Sequence, residues 1–130
     1  MTVQDMIRTH PVSSVREGIA ECISACFDCG EICTICADAC LAEPMVANLV
    51  ECIALNQNCA TICLATGTVL ARQSHMDPDI TRKQVQACLD VCEACALECE
   101  RHGGHMEHCA VCAAVCKRCA QACRTLLDQI

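Results

Sequence analysis

The apolar positions of this chain recur at alternating steps of three and four residues over most of its length. In the first such stretch every one of these positions is a cysteine: Cys22, Cys26, Cys29, Cys33, Cys36 and Cys40. An alternation of three and four is typical of the seam along which a helix packs against other helices, where Leu and Ile normally lie. The pattern therefore predicts a helix whose buried seam consists of sulfur.

Three further stretches repeat the alternation. The first of these three, from Cys52 to Cys63, contains Asn56 at the position where a fourth thiol would lie. The cysteines of these stretches are Cys52, Cys59 and Cys63, then Cys88, Cys92, Cys95 and Cys99, then Cys109, Cys112, Cys116, Cys119 and Cys123. All 18 cysteines of the chain thus lie in four helical seams, and we refer to them together as the thiol column.

Turn-forming residues separate the four stretches. Pro11 with the pair at 13–14 precedes the first helix, Pro44 opens the second, Asp79 is the expected cap of the third, and the pair at 103–104 ends it. The predicted helices are 13–41, 45–73, 79–102 and 105–127. Because long helices joined by short turns lie antiparallel, the sequence predicts an all-α, up-down four-helix bundle with a cysteine-lined core, as a single domain over 1–130.

The seams predict two different ends of the bundle. At the end with both chain termini, the seam residues form an aliphatic plug: Val12, Val15, Ile19, Leu70, Val85, Leu126 and Ile130. At the opposite end, Leu49 lies among residues that we call the His/Met end: Met45, His102, His105, Met106 and His108. The sequence thus predicts an interior lined by cysteine sulfur, which aliphatic residues close at one end and Met and His residues close at the other.

Composition and charge exclude several functions. The net charge is −7 and Phe27 is the one aromatic residue, which argues against nucleic-acid binding. No carboxylate pair or inward E-x-x-H motif lies in a seam, so we expect no enzyme. The N-terminal segment lacks an export signal and no stretch approaches a membrane span, which predicts a cytoplasmic protein with reduced thiols.

The remaining question is what the thiols bind. Pure packing is disfavoured because cysteine fills less space than leucine, and disulfides are disfavoured in the cytosol. Four-thiolate zinc sites would accumulate negative charge in a seam that has no Lys or Arg, and iron–sulfur motifs use other spacings. Thiolate selects Cu(I), and one Cu(I) replacing each thiol proton leaves the core neutral.

These repeated C-x3-C and C-x2-C steps along four helices resemble the bacterial copper storage proteins, in their cytosolic branch. The resemblance implies a homotetramer that stores many Cu(I) ions, with a His-bearing end through which metal passes. Carried onto this chain, it implies that Asn56, His102, His105 and His108 contact copper, without deciding which histidines bind. Asn56 could instead specify helix register. We assign Met45 and Met106 a role in copper uptake.

Two alternative functions remain: a thiol redox or zinc-dependent switch, and a metallothionein-like sink for zinc or cadmium. The expected partners are a copper chaperone or a small-thiol donor, and further copies of the chain. The second predicted helix is apolar nearly all round, so the sequence predicts a homo-oligomer through the outer face of the first two predicted helices. That face contains Phe27, Ile35, Leu41, Val50, Ile53, Leu55, Ile62 and Leu64.

Overall fold

Four long helices surround one axis in the computed structural model, which describes residues 1–12 and 16–130. They are α2 (Ile19–Leu41), α3 (Val50–Ala71), α4 (Pro78–His102) and α5 (Glu107–Gln129), with a short α1 (Val3–Arg8) before them and a 3₁₀ turn (Val46–Leu49) before α3. Each long helix packs against its two neighbours in a closed ring, in the order α2, α3, α4 and α5. The described residues contain no strand. The all-α four-helix bundle is therefore confirmed.

The start of the chain differs from the prediction. Residues 16–18 are not helical, and α2 begins at Ile19 rather than near residue 13. Gly18, with φ of 90°, occupies the left-handed region that favours glycine and forms the N-cap of α2. The predicted opening pair Ser13–Ser14 lies outside the described residues.

Helix α1 was not predicted. It is held by a capping box in which the Thr2 hydroxyl accepts a hydrogen bond from the Asp5 amide at 3.2 Å, and the Asp5 carboxylate accepts one from the Thr2 amide at 3.0 Å. Val3 and Ile7 pack against the hydrophobic core of the bundle, as does Phe27.

The other helix ends differ by a few residues. Asp77, not Asp79, caps α4, because its carboxylate accepts hydrogen bonds from the amides of Asp79 and Ile80 at 3.0 Å each. Pro44 does not open α3, since the chain first forms a 3₁₀ turn from Val46. Helix α5 begins at Glu107, two residues after the predicted start.

The core consists of the thiol column closed at one end by the plug. Every cysteine is buried, with 0–2 % of its surface exposed. Four plug residues are equally buried: Ile19, Leu70, Val85 and Leu126. Val12 and Ile130 are half-buried, and Val15 lies outside the described residues.

The outer surface carries two apolar regions. On the α2/α3 side Ile35, Leu41, Val50 and Leu64 are exposed, whereas Phe27 is half-buried. On the α4/α5 side Leu97 and Val111 are also exposed, at 67 % and 49 %, which the sequence had not indicated.

One segment, Val46–Ala71, is long and apolar enough to cross a membrane, by length and composition only. Its Cys52, Asn56 and Cys63 side chains are buried inside the bundle. A core helix of a bundle has the same composition, and the segment is weak evidence for a membrane.

The plug and the packed helices need no metal, so we expect the reduced, metal-free protein to be helical by circular dichroism.

Replacing Leu70 by Ala should lower the free energy of unfolding by about 2–5 kcal/mol, because it leaves a cavity in the plug. The exposed Leu97→Ala control, on the α4/α5 side, should change it by less than about 0.5 kcal/mol. For the unmodified protein, a coil spectrum without metal that becomes helical only with copper would contradict the expected metal-independent fold.

Candidate metal centre

The helical register places sulfur atoms from all four helices around the bundle axis. Residues three and four apart share a helix face, so each helix contributes one stripe of thiols to the interior. Sulfur atoms on neighbouring helices lie close together, at 3.5 Å for Cys63 and Cys92 and 3.6 Å for Cys33 and Cys116. Across the bundle, 3.8 Å separates Cys26 Sγ on α2 from Cys88 Sγ on α4. All 18 cysteines are free thiols. The structure therefore contains a connected column of thiols.

Groups of four ligand atoms within 4.8 Å of one another recur along the column. The groups made of cysteines alone include Cys26, Cys88, Cys119 and Cys123; Cys29, Cys33, Cys59 and Cys116; Cys29, Cys59, Cys63 and Cys92; and Cys33, Cys95, Cys112 and Cys116. The sulfurs of Cys29, Cys33, Cys59 and Cys116 each belong to two of the groups just named. Neighbouring metal positions would therefore share sulfur ligands instead of forming separate cages.

Positive charge lies outside the column. Among the described residues, the buried polar and charged side chains include no Lys or Arg. Three basic residues of α5 form ion pairs on the outer surface: Lys117 with Glu100, Arg118 with Glu21 and Asp28, and Arg124 with Glu93. A strongly negative metal–thiolate cluster in the core would thus have no lysine or arginine beside it.

Two thiols near the His/Met end differ in acidity. Hydrogen bonding from Cys99 lowers the pKa of Cys52 to about 7, and the charge of His102 also lowers it. Burial raises the pKa of Cys109 to about 12. At neutral pH Cys109 is therefore a neutral thiol that must lose a proton before it can bind metal as a thiolate.

Asn56 lies inside the column and is fully buried. Its Oδ1 accepts hydrogen bonds from the thiols of Cys95 and Cys112 at 3.1 Å each, and its Nδ2 donates to Cys52 Sγ at 3.5 Å. The side chain thus connects α3 with α4 and α5. This contact explains how a polar group is accommodated in the seam.

His108 is the histidine of the His/Met end that hydrogen-bonds to thiols in the described part of the chain. Its Nδ1 lies 3.4 Å from Cys36 Sγ and 3.6 Å from Cys109 Sγ. With Cys36, Cys40 and Cys109 it forms a further group of four ligand atoms within 4.8 Å. On the other side of the ring, Nε2 lies 3.3 Å from the Glu43 carboxylate.

The other predicted residues of this end lie nearby in different settings. His102 Nε2 lies 3.2 Å from the buried Glu98, whose second oxygen accepts a hydrogen bond from Arg101 at 2.9 Å. The His105 ring packs edge-on against His102, with 6.0 Å between the ring centroids. Met106 is buried and Met45 is exposed.

Sequence reasoning missed the two carboxylates that hold these histidines. Glu98 and His102 lie four residues apart on α4, a spacing that could have indicated their contact. Glu43 and His108 are 65 residues apart in the chain, and no local pattern connects them.

A helical bundle built around a continuous thiol column defines a protein that binds several metal ions through thiolates. The family model for copper storage proteins matches residues 15–128. The chain therefore belongs to the copper storage protein family, which confirms the resemblance seen in the sequence.

The comparisons with individual proteins agree with this assignment. The chain is similar to the copper storage protein Ccsp from Streptomyces lividans loaded with 10 copper equivalents, with 49 % identity, a TM-score of 0.95 and coverage of 99 % of this chain and 100 % of that one. It is also similar to Cu(I)-bound BsCsp3, with 35 % identity, a TM-score of 0.74 and coverage of 84 % and 97 %. The cysteine-rich protein YhjQ of Bacillus subtilis is 36 % identical over 105 residues, 81 % of this chain and 92 % of YhjQ.

The raised pKa of Cys109 predicts a pH dependence of stability. In the unfolded chain this thiol has its ordinary pKa of 9.0, whereas in the folded protein its pKa is about 12. Between these values the unfolded state binds fewer protons, so the free energy of unfolding falls as the pH rises. Cys109→Ser should therefore lose less stability than the unmodified protein between about pH 8 and about pH 11, because serine does not ionise there.

Denaturant unfolding of the reduced, metal-free proteins measures this difference. If the free energy of unfolding depended on pH equally in both proteins, the raised pKa of Cys109 would be contradicted.

Proposed function

We propose that this protein stores and buffers many Cu(I) ions on the thiolates of its core. The observation that carries the proposal is the connected thiol column, in which neighbouring groups of four ligands share sulfur atoms. Two thiolates suffice for one Cu(I), and a bridging thiolate can serve two ions. The column therefore provides a continuous series of positions along the bundle.

Charge supports Cu(I) over divalent metals. Each Cu(I) that binds one thiol displaces one proton, so the positive charge entering the core equals the positive charge leaving it. A zinc ion in a four-thiolate site leaves a net charge of −2, and burying such charges without a counter-ion is costly. The absence of buried Lys and Arg among the described residues favours the neutral exchange.

The alternative functions fit the arrangement less well. A redox switch needs a few accessible thiols of low pKa, whereas all 18 cysteines are buried. A zinc or cadmium sink would need positively charged side chains beside its thiolate sites to balance their negative charge, and no Lys or Arg is buried among the described residues. The chain belongs to a family of storage proteins, and we infer that it is not an enzyme.

Copper would enter at the His/Met end. His108 lies against Cys36 and Cys109, and Met45, in the turn before α3, is exposed. The opposite end is closed by the buried aliphatic plug. We infer that copper arrives at the His/Met end from a chaperone or a small-thiol donor and fills the column inward from there.

We infer that the protein acts in the cytosol. A Streptomyces lividans relative that is 50 % identical over 90 % of this chain is described as a cytosolic copper storage protein. Reduced thiols persist in that compartment, as an empty thiol column requires.

An anaerobic Cu(I) titration tests the storage proposal. We expect uptake on the order of one Cu(I) per cysteine, with release of about one proton per ion, because thiolate formation accompanies binding. Metal content per chain and pH change in a weakly buffered solution give the two numbers.

Competition with Zn(II) under a defined chelator separates storage from the divalent sink. Saturation near four metals per chain, with zinc displacing copper, would overturn the copper proposal. Reversible disulfide formation that opens the bundle at low copper would favour the switch instead.

We propose further that identical chains associate through the outer α2/α3 face, as a tetramer like that implied by the family resemblance. Ile35, Leu41, Val50 and Leu64 leave a large apolar surface on this side, and burying it against a second copy is favourable. Leu97 and Val111 on the α4/α5 side provide a smaller apolar surface.

Light scattering at micromolar concentration tests the assembly. Ile35→Glu should shift the oligomer towards monomers, because it places a charge in the buried interface. The matched control Leu97→Glu, on the α4/α5 side, should leave the oligomer unchanged. A monomeric unmodified protein would overturn the assembly, and dissociation by Leu97→Glu alone would overturn the face.

A further inference from the structure

The Glu43 side chain reaches the His/Met end from the turn after α2. Its carboxylate lies 3.3 Å from His108 Nε2, and both side chains are about a quarter exposed, at 28 % and 26 %. The contact joins the α2/α3 half of the bundle to the first turn of α5. It is a specific hydrogen bond between two elements that are remote in the sequence.

The contact determines which nitrogen of His108 faces the thiols. An ionised carboxylate can only accept hydrogen bonds, so the hydrogen of the neutral imidazole lies on Nε2 when the two groups are paired. The other nitrogen, Nδ1, then presents a lone pair. The Nδ1 atom lies 3.4 Å from Cys36 Sγ and 3.6 Å from Cys109 Sγ.

We propose that Glu43 is a positioning residue for copper uptake, which fixes the orientation of the His108 ring and directs Nδ1 as a ligand towards Cys36, Cys40 and Cys109. This inference rests on the proposed storage of Cu(I). A carboxylate that holds the remote nitrogen of a histidine fixes the tautomer and increases the basicity of the ligating nitrogen. The three thiols and Nδ1 already lie within 4.8 Å of one another, so the ring needs to be held rather than moved.

The second carboxylate–histidine pair of this end differs from the first. Glu98 holds His102 within one helix and also pairs with Arg101, so its charge is shared with a cation. The Glu43 carboxylate has His108 as its side-chain hydrogen-bond partner among the described residues. We therefore assign the positioning role to Glu43.

The tautomer of His108 in the reduced, metal-free protein gives a readout that does not depend on copper. Two-bond ¹H–¹⁵N correlation spectra at about pH 8, where imidazole is neutral, should show hydrogen on Nε2 in the unmodified protein. Glu43→Leu removes the acceptor and should shift His108 towards the other tautomer, whereas Glu43→Gln retains an acceptor oxygen and should keep Nε2–H. An unchanged tautomer in Glu43→Leu would overturn the proposal.

The rate of Cu(I) uptake from a defined chelator gives the second readout. Glu43→Leu should slow the initial phase on the order of 10-fold, since loss of such a partner costs other metal sites about 10- to 100-fold in metal affinity or activity. The final capacity should not fall, because the thiols remain. Glu107→Leu is the matched control, because it removes one exposed carboxylate beside His108; it should leave the rate nearly unchanged. Equal slowing by both variants would indicate a general charge effect and overturn the proposal.

A double-mutant comparison separates positioning from a structural effect. In a His108→Ala background, Glu43→Leu should cause no further slowing, because its target is absent. Additive slowing would overturn the proposal. If the unmodified protein bound no Cu(I), the storage function would fail, whereas the tautomer of the metal-free protein would still decide the role of Glu43.

Discussion

The structure depends on keeping a buried column of thiols electrically neutral. Four helices bring 18 sulfur-bearing side chains to one axis, with no Lys or Arg buried among the described residues. As thiols these groups are neutral and donate weak hydrogen bonds to one another. As thiolates they require a cation at nearly every sulfur. A soft monovalent ion satisfies this requirement with the least charge left in the interior.

The bundle and the thiol column could be predicted from the sequence because both follow from one periodicity. Each step of three or four from Cys22 to Cys40 returns to the same helix face, and the structure buries all of these residues. Helix α1 was missed because it has six residues and only a Thr2–Asp5 box to indicate it. The contact between Glu43 and His108 could not be predicted, because it depends on how two turns meet at the end of the bundle.

Asn56 shows why the residue pattern alone left two interpretations open. Its Oδ1 accepts hydrogen bonds from the thiols of Cys95 and Cys112, which satisfies a buried amide and links three helices. If Cu(I) displaces those two protons, as the storage proposal requires, the same oxygen loses both donors and faces the metal-bearing sulfurs. On the storage proposal, register specification and metal contact would be consecutive states of one side chain.

A thiol interior also has a cost in stability that the rest of the molecule must offset. Cysteine buries less apolar surface than leucine, so the column contributes less hydrophobic stabilisation than an ordinary bundle core of the same length. The fully buried residues of the plug, such as Leu70 and Leu126, restore part of it at one end. The exposed apolar residues of the α2/α3 face can supply more when they are covered by another chain. Burial of that face between copies, as proposed, would thus compensate for the small side chains of the thiol column.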